Sequence, residues 1–523
     1  MNRDYDVIVV GGGLAGLTCM AYLCRYGYRA LLCEKGNKTG GLVNTFQYDG
    51  FTFDAGIRAF ENSGIIFPML KNLEIDIEFV KNPVSIGIVN QRVQLNPQQS
   101  LESYQAMLIA LFPGSEEDIK KIMTEINKVV RYIDVLYGID NPLFSDNLRD
   151  PAYLVRTLLP WLFRYNRNIS KINRLNEPVN KYLLRFTDNQ SLIDMITQHF
   201  FKDTPAFFAL SYFALYLSYY YPKGGTGTLV QKINEFILAS NGEIRTQTAV
   251  TRIDTYKKEL FTANGERYQY KKLIWAADQK SLYASVTAPQ TSQFMKQNLL
   301  VEKSKGGDSI LTLFLGVNLD KDYFVHTCGA HTFYTPVTTG LSSLSNWEKS
   351  CSLGKDELLN WVGKYLDSTT YEISCPALRD EHLAPEGKTG VIVSTLMDYR
   401  LVQHITENGY YDTFKQFCID TILQALEKTI FPDISKHLSF ALCSTPITIE
   451  KETGNSQGAI TGWSFQNDII PAVTGFKNIM KSLSTPIEDV YQCGQWTFSP
   501  SGLPVSIFTG KLAADEVRKT LKR

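Results

Sequence analysis

At 523 residues the chain is too long for one ordinary hydrophobic core, so two or more domains are expected. Its 44% hydrophobic and 20% charged residues exclude a disordered chain, and 53 basic side chains balance 53 acidic ones, which removes any general pull toward nucleic acid. Nine cysteines form no CxxC pair and the six histidines lack company at ligand spacing, so no metal site is expected. Cys19, Cys24 and Cys33 fall in apolar stretches and read as buried, reduced thiols, which favours a reducing, cytoplasmic setting. The opening MNRDYDVIVVGGG passes straight into a strand, without the basic and long apolar regions of a signal peptide. No uncharged apolar run reaches the 18 residues of a membrane span.

The first elements are a strand, a glycine turn and a helix. Val7 to Val10 form a continuous β-branched run, as a strand buried on both faces does. Gly11, Gly13 and Gly16 supply GxGxxG where that strand meets a helix: the first for the tight turn, the second for close approach to a pyrophosphate, the third for helix–strand packing. Leu14, Leu17, Ala21 and Cys24 place one apolar face on the helix, and Gly27 closes it. RALLCEK is a second strand ending at Glu34, 18 residues after Gly16, where a carboxylate can accept hydrogen bonds from ribose hydroxyls. The following EKGNKTGGLVNTFQYDGFTFDAGIRAF has a second glycine pair, Gly40 and Gly41, in place of the helix usual in a simple nicotinamide dehydrogenase. A glycine-rich loop there suits a long, bent cofactor, so FAD is expected over NAD.

The middle of the chain is mainly helical. GSEEDIKKIMTEINKVVRYIDVLYG reads as a helix with a capping box of Ser115 and Asp118 and a core stripe of Ile119, Ile122, Met123, Ile126, Val129, Val130 and Ile133. Residues 153–186 carry Arg156, Arg164, Arg167, Lys171, Arg174, Lys181 and Arg185 against Glu177 alone, interleaved with Leu158, Leu159, Trp161, Leu162 and Phe163. This is a candidate for contact with an anionic membrane surface; a solvated basic face is the alternative. Residues 206–221 are uncharged and aromatic. Phe207, Phe208, Tyr212, Phe213, Tyr216, Tyr219 and Tyr220 can line an apolar channel or simply fill a core.

YYPKGGTGTLVQKINEF then gives a glycine loop and a helix on Leu229, Ile233, Phe236 and Ile237, with strands at 243–246, 249–254 and 271–279. SILTLFLGV, TGVIVSTLM and HLSFALCSTPITI promise an antiparallel sheet in a second domain. Near the end, DVYQCGQ returns as a strand of the first sheet and stops at Gly494. SGLP opens a helix with Pro504 in its first turn, where a missing N–H does no harm. The N–H groups of Val505, Ser506 and Ile507 are expected to face a flavin ring.

These blocks resemble the phytoene desaturase, carotenoid isomerase and retinol saturase group of FAD-dependent oxidoreductases, which share a fold with flavin-containing amine oxidases. The resemblance covers residues 5–60, the LFPGSEEDI region, 221–283 and 440–517; the first and last blocks carry the specific motifs. It implies an α/β, glutathione-reductase-like two-domain flavoprotein. A discontinuous Rossmann-type FAD domain would take residues 1–75, 222–300 and 475–523. A substrate domain with an antiparallel sheet would take 76–221 and 301–474, with 100–221 mainly helical. The implied cofactor-binding positions are Gly11, Gly13, Leu14, Ala15, Gly16, Glu34, Lys35, Gly41, Leu42, Ile57 and Arg58 from the first block. Val250 joins them, through its backbone to adenine. From the last block come Gly494, Gln495, Pro504, Val505 and Ser506. Members of the group commonly show Gly-Asp where this chain has Gly494-Gln495, so a neutral amide stands where a carboxylate binds a ribityl hydroxyl. No catalytic residue is implied. The expected reaction is desaturation, saturation or cis-trans isomerisation of a hydrophobic polyene or isoprenoid lipid by hydride exchange with flavin N5. The alternatives are an amine-oxidase-like enzyme on a polar substrate, and a non-catalytic prenyl-binding protein like the GDP-dissociation inhibitors.

Overall fold

The computed structural model describes residues 4–96, 100–145, 147, 150–287, 291–351 and 354–521. Its first sheet has seven strands with Asp4–Val10 near the centre, parallel to Ala30–Cys33 on one side and to Arg267–Trp275 on the other. Glu243–Arg245 extends it in parallel beyond Ala30–Cys33. The far edge of Arg267–Trp275 is shared. Its first part pairs antiparallel with a ribbon of Glu259–Thr262 and Val250–Asp254, and residues 273–275 pair in parallel with Val490–Gln492. The strand expected at 271–279 therefore starts earlier and stops at Trp275. Asp278 leaves the sheet to cap the helix Gln279–Ser285, its carboxylate accepting from the Lys280 N–H at 2.7 Å.

The helix Leu14–Arg25 is buried on every side from Leu14 to Cys24, not along one face as its pattern suggested. The sheet lies beneath it, and the helices Gly227–Ala239 and Leu503–Thr520 cover its other faces. At the crossing with the C-terminal helix, a Cβ on Gly510 would collide with the Ala15 carbonyl oxygen, so the two backbones touch.

The second sheet also has seven strands, in the order Leu438–Ser444, Ser309–Val317, Thr389–Met397, Tyr371–Ser374, His331–Thr335, Val84–Ile88, Gln91–Gln94. Its pairs are antiparallel except Val84–Ile88 with His331–Thr335. The chain between those two passes through a long helical excursion and through strands of the first sheet, so no hairpin imposes opposite directions. The expected strand over HLSFALCSTPITI ends at Ser444. Pro446–Thr453 is a helix instead, with Pro446 in its first turn and a capping box between Thr445 and Thr448.

Helices fill the excursion, among them Glu116–Leu136, Leu159–Ile172 and Ala206–Leu215. Ile119, Ile122, Met123, Ile126, Val129 and Ile133 are buried as expected, while Val130 is only half-buried. Ser115 precedes that helix but makes no capping bond; its hydroxyl accepts from the Asn189 side chain at 3.0 Å. Residues 206–221 break into the helix Ala206–Leu215, a short turn and the strand Tyr219–Pro222. Among the described residues no helix is long and apolar enough to cross a membrane.

Candidate cofactor and substrate site

The glycine turn makes a hollow. Gly11 has φ +105°, and a Cβ there would sit 2.7 Å from the Ala276 carbonyl oxygen. A Cβ on Gly16 would collide with the Gly11 carbonyl. At Gly13 a Cβ would meet nothing within 4 Å, so open space lies in front of this residue. Gly13 is the N-cap of the helix, with no side-chain cap and no acid in the first turn. The leading N–H groups, at Leu14, Ala15 and Gly16, lack intrahelical acceptors, and the dipole adds positive potential. An anion fits this place.

Around the hollow, Glu34 is held by two backbone donors: Oε2 accepts from Gly12 N–H at 2.6 Å and Oε1 from Gly36 N–H at 2.7 Å. An ionised carboxylate has about four acceptor sites, so it can still take hydroxyls. The second glycine pair lies against the first. Gly40 N–H donates to the Gly12 carbonyl at 2.7 Å, and a Cβ on Gly41 would approach Gly13 Cα at 3.5 Å. Gly494 comes from the other end of the chain, with φ +99° and room for a Cβ only 3.2 Å from that of Ala15. The first and last motifs therefore share one site.

The remaining expected positions divide. Leu42, Ile57, Arg58, Pro504 and Val505 line a cavity of about 600 Å³ beside the glycines. Val250 is half-buried at the start of the antiparallel ribbon, two residues after Thr248, whose N–H donates to the Glu34 carbonyl at 2.8 Å. Gln495 is half-buried, and among the described residues its side chain has no protein partner. The Lys35 side chain does not join the cluster: it is exposed and its ammonium donates to the Lys451 carbonyl at 3.3 Å. The expectation for the C-terminal helix also shifts. Ser506 N–H already donates to the Gly502 carbonyl at 3.0 Å, and Pro504 has none, so the uncommitted donors at this terminus are Leu503 and Val505.

The cavity runs from residues 55–59 and 500–505 to the aromatic tract, where Phe207, Phe208, Tyr212, Tyr216 and Tyr219 line it. Phe213 and Tyr220 do not: the first packs on Tyr104 and the second on Phe67, each at 5.3 Å between ring centres. Trp161, Leu162 and Tyr165 of the basic–aromatic stretch form part of the wall.

One wall is polar, which the uncharged tract gave no reason to expect. Arg379 Nη1 donates to Asn82 Oδ1 at 2.9 Å, which turns the amide nitrogen of Asn82 toward His331 Nδ1, 3.0 Å away. Nδ1 must then accept, so the imidazole proton sits on Nε2 and is donated to Glu372 Oε1 at 2.8 Å. Burial lowers the His331 pKa and keeps the ring neutral. Burial alone would raise Glu372, but the His331 hydrogen bond and the Arg58 and Arg379 charges outweigh it and hold the carboxyl below its usual range. Arg58 Nη2 donates to Ser394 Oγ at 3.1 Å, and Nη1 to the carbonyls of Asp54 and Gly56. Phe333, Glu372, Ser394 and Thr312 are successive cross-strand partners, so one sheet face presents them together. Burial shifts two further cavity groups: it pushes Glu61 up to about 7, so that its carboxyl is only partly ionised near neutrality, and His199 down to about 4, so that its ring is neutral there. The one signal for this wall in the sequence is a lone His and a lone Glu inside short strands.

Comparison with known proteins agrees with this architecture. Residues 9–73 match the NAD(P)-binding Rossmann-like domain family. Over nearly its whole length the chain is similar to three enzymes. All-trans-retinol 13,14-reductase of Danio rerio is 23% identical over 94% of this chain and 82% of its own. Prolycopene isomerase 2 of an Oncidium hybrid cultivar is 22% identical over 99% and 84%. The 4,4'-diapophytoene desaturase of Staphylococcus aureus (strain COL) is 22% identical over 99% of both. The chain is a homologue of these enzymes. The resemblance read from the two terminal motifs is borne out. Among solved structures, wild-type putrescine oxidase bound to putrescine has the same fold, with a TM-score of 0.60 and 11% identity over 99% of this chain and 100% of that one. The α/β, two-domain architecture expected from the sequence is the one these proteins share.

Proposed function

We propose that this protein is an FAD-dependent oxidoreductase that desaturates, saturates or isomerises a hydrophobic polyene or isoprenoid lipid. The observation that carries the reading is a pair of uncapped helix termini: the one at Gly13 opens on an empty hollow, the one at Gly502 lines the aromatic cavity, and Gly41 against Gly13 is followed by Leu42 on the cavity wall. A dinucleotide as short as its diphosphate and adenosine would leave the second terminus unused. The residues fit FAD: the Gly13 hollow and the N–H groups of Leu14 to Gly16 would take the diphosphate, Glu34 the ribose, and Val250 the adenine. Gly494 and Gln495 would take the ribityl chain, with an amide in place of a charge. Leu503 and Val505 N–H groups would lie toward the ring.

Bound flavin supplies the hydride chemistry at its N5. The chain's own part is to bind, orient and exclude water. Phe207, Phe208, Tyr212 and Tyr216 form a dry wall that holds a flat conjugated chain. The positive helix end at Leu503 and Val505 favours negative charge in its neighbourhood, as arises on accepting hydride. In this reading residues 1–75, 222–300 and 475–523 form the cofactor domain, and 76–221 with 301–474 the substrate domain. The grouping of strands into two sheets supports that division.

The substrate reaches the site from a membrane surface. Val155, Leu159 and Phe163 are 63%, 58% and 74% exposed beside the exposed Arg156, Arg164 and Arg167. Trp161 and Tyr165 of the same helix line the cavity. Apolar side chains among cations suit an anionic bilayer surface.

An anaerobic titration tests the reading. The purified protein should be yellow and release FAD on denaturation, and a polyene should change its flavin absorbance. A colourless preparation that remains active would overturn it.

A further inference from the structure

The polyene reading calls for an apolar cavity, yet this cavity contains an ionised carboxylate. Glu372 lines it with 32% of its side chain exposed. Among the described residues one donor reaches the carboxylate, His331 Nε2–H on Oε1 at 2.8 Å. Oε2 remains an acceptor without a protein donor. An ionised carboxylate accepts and never donates, and leaving it unpaired beside apolar walls is unfavourable. The relay from Arg379 through Asn82 to His331 fixes its orientation as well as its charge. A group so positioned is built to meet a hydrogen-bond donor.

The surrounding charge selects the donor. Arg58 and Arg379 are balanced by Asp54 and Glu372: Arg379 lies 3.8 Å over the Tyr221 ring, whose hydroxyl donates to Asp54 at 2.8 Å, and Arg58 donates to the Asp54 carbonyl at 2.7 Å. His199 and His331 add no net charge near neutrality, and Glu61, with its pKa pushed up to about 7, adds only a fraction of one. The wall thus offers a free lone pair with at most a fractional excess of negative charge, and an ammonium placed beside Arg58 would meet repulsion. A neutral O–H fits.

Resting on the polyene reading, we propose that Glu372 accepts a hydrogen bond from a substrate hydroxyl, so that the substrate is a polyene or isoprenoid alcohol. Asn82, His331 and Arg379 are positioning residues for that contact. The hydroxyl anchors one point of an otherwise slippery chain and sets which carbons lie against the flavin.

The test compares three ligands of one carbon skeleton on the flavin-loaded protein: all-trans-retinol, the hydrocarbon lacking its hydroxyl, and the corresponding amine, read by quenching of tryptophan fluorescence. The alcohol should bind on the order of 10- to 100-fold more tightly than the hydrocarbon, as a hydrogen bond to a charged group gives. Glu372→Gln should remove most of that preference while leaving hydrocarbon affinity unchanged. Equal binding of alcohol and hydrocarbon, a preference untouched by Glu372→Gln, or tighter binding of the amine would each overturn the assignment while leaving a flavoenzyme of apolar substrates in place. Binding of none of the three would overturn the polyene reading itself. A measurement on the unaltered protein stands beside the variant. Infrared difference spectra should show a perturbed carboxylate band with the alcohol and none with the hydrocarbon; the absence of that band would also overturn the assignment.

Discussion

At the scale of single residues, Gly13 and Glu61 make the sharpest tests. The Cβ direction at Gly13 is empty in the structure, and its backbone, at φ −69°, suits any L residue. Gly13→Val should therefore fold normally but purify without flavin, because the added methyls occupy the place of the diphosphate; flavin content equal to that of the unaltered protein would refute this. Glu61 concerns pH. Burial raises its pKa from 4.5 to about 7. A carboxyl raised in the fold favours the folded state below its unfolded pKa, and that advantage is lost as pH climbs through the folded one. The loss falls between about pH 4.5 and 7 and is on the order of 3 kcal/mol. Glu61→Gln should remove this slope, so denaturant unfolding at both ends of the window should show the variant gaining on the parent as pH rises. Such residues were unequally legible. Gly11, Gly16 and Glu34 stand out in sequence because backbone geometry dictates residue type at short range. The relay through Asn82, His331 and Glu372 does not, since His331 and Glu372 lie on separate strands and Asn82 just before a third, Val84–Ile88, and only the second sheet unites them.

At the scale of elements, the crossing of the first and last helices decides whether the cofactor site closes. Gly510→Leu would drive a side chain into the Ala15 carbonyl and push the helices apart. We expect a loss of about 1–3 kcal/mol in calorimetry or chemical denaturation, accompanied by weaker flavin retention because Gly494 would withdraw from Ala15; unchanged stability would show that the crossing is loose. The pattern of the first helix suggested one apolar face because a 3.6-residue period assumes one covered side, whereas two helices and a sheet enclose it. Strand ends were misjudged where a side chain captured the backbone. Asp278 and Thr445 each start a helix at a point where β-branched or apolar residues alone would continue a strand. The long stripe of Glu116–Leu136 was legible because its alternation with charge is regular.

At the scale of the whole molecule, the exposed apolar side chains of the helix Leu159–Ile172 lie on the same element as a cavity wall. Replacing Leu159 and Phe163 by Asp should cut co-sedimentation with anionic vesicles by about tenfold and leave flavin content intact. Raising salt should weaken the parent's binding as well, because the flanking arginines contribute through screened charge; vesicle binding that ignores both changes would remove the membrane route. The first sheet was legible from motifs at the two ends, down to the return of DVYQCGQ as one of its strands, and the second from apolar runs such as SILTLFLGV and TGVIVSTLM; which neighbour the returning strand takes is a matter of register. Residues 273–275 accept Val490–Gln492 as a neighbour, and nothing local announces which strand would take the other side of that pairing. It has a consequence for biogenesis. A polypeptide leaves the ribosome from its amino end, so the glycine turn is made hundreds of residues before the helix that completes its pocket. Newly made chains must wait, half-built, until the helix Leu503–Thr520 has emerged before they can load their coenzyme, and removal of that helix should leave a protein that never turns yellow.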